Sequence, residues 1–201
     1  MKNFKLILLF ILGIMNSAGA QQLKNINEIG VFNEGLIAIK VGDSWGFLDT
    51  NGELVVDYRK DIVGTSKEPP IFSDGLCLIK EKREEVDYYG YINVKGETII
   101  PPEYIVAKPF KKGMASVITY YKTDTGKNVF DQNVVYYTYH ELIINTKNEC
   151  VLYFREPRNL LLHKLKLQQG IPKIRAKFLN DHLISVLEDD NSYSLYNLLK
   201  E

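Results

Sequence analysis

The sequence has little of the material on which most catalytic and nucleic-acid-binding proteins depend. Lysine plus arginine and aspartate plus glutamate both number 25 among 201 residues, so the formal net charge is zero. This balance argues against nucleic-acid binding, whose affinity comes largely from neutralising phosphates. The three histidines, His140, His163 and His182, do not pair at metal-ligand spacing, and no serine lies in a Gly-x-Ser-x-Gly motif. The sequence therefore predicts no cofactor, no metal site and no enzyme.

Cysteine is also scarce, with only Cys77 and Cys150. They lie 73 residues apart, a spacing unlike that of a metal knuckle. In an oxidising compartment the two could form one disulfide. The interpretation that we favour is that Cys77 and Cys150 are two separate buried thiols on strands.

Long apolar runs are missing except at the start of the chain. There a short basic segment precedes the apolar run Leu6–Met15, and Ala18–Ala20 supplies the small residues that a signal peptidase recognises. The run is about half of the roughly 20 residues that a membrane-spanning helix needs. We therefore expect residues 1–20 to be a signal peptide and residues 21–201 to be an exported protein, periplasmic, cell-surface or secreted, without a transmembrane anchor.

Internal repetition is the strongest positive signal. A Phe-x-x-Gly motif followed by an apolar stretch begins at Phe32, Phe72 and Phe110, which are 40 and 38 residues apart. A second block, with an aromatic-glycine pair and an Asx-x-x-Gly turn, covers Trp45–Val56 and Tyr89–Ile100. Aromatic and β-branched residues favour strands. The repeats therefore predict an all-β fold.

The physical interpretation of one unit is a three-stranded antiparallel meander. Phenylalanine supplies an apolar anchor, and the glycine three residues later takes a positive φ in a tight turn. In the first unit, strands are predicted over Leu36–Val41, around Trp45–Asp49 and over Glu53–Val56. The turn from Asp49 to Gly52 suits a type I turn closed by a left-handed residue.

Two further copies are degenerate. The third, Leu142–Val151, has Asn148 in the place of the turn glycine, and asparagine is the next-best residue for a left-handed conformation. The fourth opens near Phe178 and ends with Tyr193–Asn197. Polar insertions at 81–85 and 123–128 are predicted to lengthen hairpin loops. The expected units are about 26–58, 59–104, 105–154 and 155–201.

This pattern resembles the bacterial WG repeat, named for its tryptophan-glycine pair. The resemblance implies an all-β repeat array of antiparallel β-hairpins or three-stranded meanders, open and twisted, with propeller-like closure as the alternative. It implies no activity. The residues that define the repeat are Phe32, Gly35, Trp45, Gly46, Asp49, Gly52, Phe72, Gly75, Tyr89, Gly90, Asn93, Gly96, Phe110 and Gly113.

A ligand surface is predicted where the third unit departs from the repeat. The chain has 13 tyrosines, and in a strand Tyr137 and Tyr139 would share one face, with Tyr136 on the other. A basic segment follows, with Arg155 and Arg158. Our hypothesis places the ligand on Tyr137, Tyr139, Arg155 and Arg158. The competing interpretation, which we favour, has one ring of each tyrosine pair in the core and the other shielding the sheet.

The function that the sequence favours is a non-catalytic binding or scaffold module for an unknown protein or glycan. An envelope hydrolase acting on polysaccharide or peptide is the alternative, because carboxylates are plentiful. A third interpretation is that the protein is a purely structural component of the cell envelope. A deep cleft with two facing carboxylates would support the hydrolase, and an aromatic surface would support binding.

Overall fold

The protein is all-β, and its computed structural model shows four antiparallel sheets that follow one another along the chain. The structure describes residues 23–84, 86–127, 129–131, 133–154, 158–160 and 172–199. The expected signal peptide, Arg155, His163 and most of the basic segment lie outside the described residues.

The four sheets use fifteen strands among the described residues. The first sheet contains β1 (Glu28–Asn33), β2 (Leu36–Val41), β3 (Ser44–Leu48) and β4 (Leu54–Arg59). The second contains β5 (Leu76–Arg83), β6 (Val86–Asn93) and β7 (Thr98–Tyr104). The third contains β8 (Val106–Ala107), β9 (Met114–Lys127), β10 (Asn133–Asn145), β11 (Cys150–Tyr153) and β12 (Arg158–Leu160). The fourth contains β13 (Ala176–Phe178), β14 (Leu183–Leu187) and β15 (Tyr193–Asn197).

Three of the four units begin with a strand that the predicted meander does not include. The additional strand comes before the Phe-x-x-Gly turn or includes its phenylalanine, and it pairs with the first long strand, as β1 does with β2, β8 with β9 and β13 with β14. In the second unit a single bridge from Ile62 to Ile79 takes this place. The predicted first strand, Leu36–Val41, coincides with β2.

The sheets form an open array in which each packs on the next. In β5, Cys77 and Ile79 belong to the core shared with the first sheet, whereas Leu76 and Leu78 belong to the core shared with the third. A further core joins the third and fourth sheets. No core cluster of the described residues joins the fourth sheet to the first, so the array does not close as a propeller does.

The phenylalanines of the second and third Phe-x-x-Gly motifs pack on an aromatic ring of the preceding unit. Phe72 lies 4.6 Å from Phe47, and Phe110 lies 4.7 Å from Tyr91, both as edge-to-face ring pairs. Phe72 and Phe110 are fully buried, but Phe32 is 56% exposed. Phe32 differs from the other two phenylalanines because no earlier sheet of the described chain packs on it.

The Asx turns have the geometry that their sequence predicts. Asp49, Asn93 and Asn145 each accept two backbone N–H bonds through the side-chain oxygen, at 2.8 to 3.0 Å. The residue three positions later has a left-handed backbone, with φ of 82° at Gly52, 78° at Gly96 and 65° at Asn148. These turns fix the hairpin between the second and third predicted strands.

Valine substitution at the turn glycines should separate backbone strain from packing. Gly52→Val should destabilise the fold by more than about 1 kcal/mol, because a β-branched residue resists positive φ. Gly96→Val should cost more, since its Cβ would also lie 3.3 Å from Val56 of the preceding unit, whereas the Cβ of residue 52 meets open space. Thermal unfolding measures both. Gly96→Asn is the matched control, with a smaller loss, and equal stability of all three variants would contradict the turn assignment.

Cys77 and Cys150 are both free thiols. Cys77 is buried, and this burial raises its pKa to about 12. Cys150 begins the edge strand β11 and is exposed. The prediction of two buried thiols is correct for Cys77 and wrong for Cys150, because an edge strand is covered by a neighbour on one side only.

The polar insertions extend strands instead of hairpin loops. β5 and β6 pair from Leu76–Asn93 out to Arg83–Val86. β9 continues to Lys127 and pairs with β10 from Asn145–Met114 out to Asn133–Lys127. The predicted loops at 81–85 and 123–128 are therefore mostly strand.

Candidate binding surface

The third hairpin carries the tyrosines that the sequence singles out. Its register places Tyr139 opposite Tyr120 and Tyr137 opposite Lys122. On the other edge of β10, the short strand β12 pairs Arg158 with Tyr139. The backbone thus brings three of the four predicted ligand residues together, and Arg155 lies outside the described part of the chain.

Tyr137 and Tyr139 are half-buried and do not form an open platform. The ring of Tyr137 lies 5.7 Å from that of Tyr120, which lies 6.2 Å from Tyr88 of the second unit. The hydroxyl groups of Tyr88 and Tyr120 form a hydrogen bond of 2.5 Å. These three rings therefore connect the extended hairpins of the second and third units.

A cation covers the outer ring of this connection. The guanidinium of Arg83 stands 5.1 Å from the ring centre of Tyr88. Arg83 also donates a hydrogen bond of 2.5 Å to Glu81, which raises the arginine pKa and lowers that of Glu81. The guanidinium is thus positioned by a ring and a carboxylate on the surface of the second hairpin.

A second aromatic group, Tyr121, His140 and Tyr153, is the more exposed one. The rings of Tyr121 and His140 are 5.2 Å apart at 67°, and those of His140 and Tyr153 are 5.1 Å apart at 29°. Tyr121 is 57% exposed and Tyr153 is 42% exposed, whereas His140 is buried. We call these three residues the aromatic face.

The aromatic face is uncharged and held in place at its centre. The hydroxyl of Tyr153 hydrogen-bonds to Nδ1 of His140. Desolvation lowers the pKa of His140, so its ring is neutral at neutral pH. Sequence reasoning missed this group, because Tyr121 and Tyr153 meet on His140 only once the register of three strands is fixed.

An open cavity of about 390 Å³ is lined by residues of the second, third and fourth units. It is lined by Tyr89, the repeat's aromatic residue, and by Lys108 and Lys173. The remaining border is apolar and includes Ile105 and Val106. Its rim therefore combines an aromatic ring with positive charge.

A larger cavity, about 550 Å³, lies on the fourth unit and is rich in carboxylates. Its Glu188 pairs with Arg175 at 3.5 Å, and Asp190 accepts the backbone N–H of Ser192 at 2.9 Å. Those two carboxylates therefore have structural partners. Among the described residues, no group of three or more His, Cys, Asp or Glu side chains could hold a metal ion.

Glu141 forms an ion pair beside this cavity and occupies the position of the repeat's tryptophan. Its Oε1 accepts backbone N–H bonds from Arg175 at 3.0 Å and Ala176 at 2.8 Å, and its Oε2 lies 3.4 Å from Nε of Arg175. The side chain is 3% exposed. Glu141 thereby attaches the beginning of the fourth sheet to the third. Glu141 could have been identified from the sequence, because a charged residue occupies the position that Trp45 and Tyr89 occupy in the other copies.

Comparison with known families agrees with the repeated geometry. Residues 89–122 match the family described as WG containing repeat. The chain therefore contains a WG repeat. The WG-repeat match begins at Tyr89-Gly90, where tyrosine replaces tryptophan, and ends in β9 of the third unit. His140 and Tyr153 lie beyond it. No curated protein matches the sequence.

None of the described residues belongs to a helix long and apolar enough to cross a membrane.

Proposed function

We propose that this WG-repeat protein is a non-catalytic, exported binding or scaffold module for a protein or glycan, and that the aromatic face contacts the partner. The observation that carries the proposal is the exposure of Tyr121 and Tyr153 on either side of a buried, neutral His140. Tyrosine rings offer a large apolar area and a hydroxyl to a partner.

Packing between the units does not account for these rings. Tyr91 and Tyr104 are buried in the core between the second and third sheets, and Tyr89 packs against that core. Tyr121 and Tyr153 belong to none of the three cores. A stacked aromatic group that contributes little to the core and stays accessible is the kind of surface that supports recognition.

A photocrosslinking experiment tests the proposal. Tyr121→p-benzoylphenylalanine in the native host should give discrete adducts under light, identifiable by mass spectrometry as protein or glycan. Val94→p-benzoylphenylalanine is the control, because Val94 is 42% exposed in a turn of the second unit. Identical adduct patterns at the two positions, or none at position 121, would contradict a binding role for the aromatic face.

Export is tested separately. The basic start, the short apolar run and the small residues before Gln21 favour cleavage near Ala20. Cell fractionation followed by intact-mass measurement should find a protein that begins at or near Gln21 outside the cytoplasm. A full-length cytoplasmic species would contradict export.

A further inference from the structure

The interface between the first and second units recurs between the second and third units. We call the side of each sheet that packs on the preceding unit its receiving face. In the second sheet this face is Phe72, Cys77, Ile79 and Ile92, all buried against the first sheet. In the third sheet it is Phe110, Ala115, Val117 and Ile144, all buried against the second sheet.

The first sheet has a receiving face of similar composition, and no sheet of the described residues precedes it. At the corresponding positions it carries Phe32, Ile37, Ile39 and Leu48. Ile39 and Leu48 are buried at the centre, and the apolar rim around them is exposed. Exposed fractions on this rim are 63% for Ile29, 56% for Phe32, 42% for Leu54 and 40% for Tyr58.

The opposite side of each sheet, which packs on the following unit, we call its presenting face. It includes Phe47 in the first sheet and Tyr91 in the second, on which the next phenylalanine packs. In the fourth sheet Leu195 occupies that position and Tyr193 occupies that of Trp45. Leu195 is 65% exposed and Tyr193 is 68% exposed, whereas Ile184 and Val186, on the receiving face, are buried against the third sheet.

Polar contacts between successive Phe-x-x-Gly turns repeat as well. The carboxylate of Glu34 accepts the N–H groups of Asp74 and Gly75 at 2.7 and 2.9 Å. Asp74 in turn accepts the N–H of Gly113 at 2.8 Å. In the first unit the corresponding N–H groups are those of Glu34 and Gly35, and both residues are exposed. In the first unit, the apolar rim of the receiving face and the residues that carry these two N–H groups are therefore both accessible.

We propose that a second copy of this chain occupies these faces, with the fourth sheet of one copy packing on the first sheet of the next. Phe32 would then pack on Leu195 of the second copy, as Phe72 packs on Phe47 and Phe110 packs on Tyr91. The contact joins two different faces, so it is heterologous, and repetition gives a chain of copies. The partner is the same protein because the two open faces are matching halves of an interface that the molecule already forms. This proposal does not depend on the aromatic face.

Two single variants block the two faces. Phe32→Asp and Leu195→Asp place a charge on residues that are already exposed, so both proteins should keep the wild-type circular dichroism spectrum and melting temperature. Sedimentation velocity should show the mass of the wild-type protein rising with concentration. Each variant should weaken association about tenfold or more. Val129→Asp, at a position 93% exposed in the third hairpin, is the matched control and should associate like wild type.

Mixing the two variants gives the decisive result. Phe32→Asp retains an intact fourth sheet and Leu195→Asp retains an intact first sheet, so an equimolar mixture should form a one-to-one complex that grows no further. A wild-type protein that stays monomeric at every concentration overturns the proposal. So does a mixture that does not associate. Dimers of Leu195→Asp alone would also overturn it, since they would show that two receiving faces pair with each other.

Discussion

Glu141→Ala is expected to lower the free energy of unfolding by about 3–5 kcal/mol, because removing one partner of a buried ion pair leaves the other uncompensated. The carboxylate is the acceptor for the backbone N–H groups of Arg175 and Ala176, and it neutralises the Arg175 guanidinium, whose side chain is only 17% exposed. Glu188 lies 3.5 Å from that guanidinium and is more exposed, so it can compensate only in part.

The loss of stability in Glu141→Ala should be concentrated in the fourth sheet. Because Glu141 attaches that sheet to the third, hydrogen exchange should accelerate in β14 and β15 more than in β5.

Glu141→Gln should cost less stability than Glu141→Ala, since an amide oxygen can still accept the two N–H bonds. Adding Arg175→Ala to Glu141→Ala should recover part of the loss in a double-mutant cycle. Lys127→Ala, which removes an exposed ion pair with Asp131, is the control and should change stability by less than about 1 kcal/mol. Uniform exchange throughout the chain would contradict this assignment.

Local features of the repeat could be predicted from sequence because their causes are local. An Asx side chain closes its own turn, and the left-handed residue follows at a fixed distance, so Asn148 could be identified as a substitute for glycine. The bounds of β2 follow from an apolar run between two turns. Each of these depends on fewer than ten residues of chain.

Features that depend on a neighbouring unit could not be predicted in the same way. Phe32 and Phe72 have the same motif, yet one is exposed and the other buried, because the partner ring belongs to the preceding unit. The sequence of a single unit likewise predicts a sheet that is covered on one side, whereas the first half of β5, Leu76–Ile79, is buried on both sides.

The candidate binding site was likewise predictable only in part, because its geometry depends on neighbouring strands and units. Sequence reasoning identified the third hairpin, since its tyrosines depart from the repeat, but it chose Tyr137 and Tyr139, which are half-buried. The exposed ring next to His140 is Tyr121, which lies on the neighbouring strand. Which of two adjacent tyrosines faces a neighbouring unit depends on register and twist, and a one-residue shift would exchange them.

Gly90→Ala is the second substitution with a large expected effect, about 3 kcal/mol of stability or more, because it overpacks a rigid contact. A Cβ at this position would lie 2.3 Å from the carbonyl oxygen of Ile100 and 2.7 Å from backbone atoms of Pro101 and Pro102. The cause is a bulge in β7. Tyr91 pairs with Ile100 but Tyr89 pairs with Tyr104, so three residues of β7 lie opposite the single Gly90.

Comparison among the units provides the controls for Gly90. Gly46→Ala should cost less, because its Cβ would meet the Val56 oxygen at 3.0 Å and otherwise the exposed side chains of Tyr58 at 3.1 Å and Leu54 at 3.3 Å. In the third unit Leu142 pairs directly with Tyr153 and no bulge lies opposite it, which explains how leucine fits where the repeat has glycine. Thermal and denaturant unfolding of the two alanine variants should therefore rank Gly90 well above Gly46. Equal losses would show that the glycine of the WG pair is required for its backbone freedom and not for the close approach of the third strand.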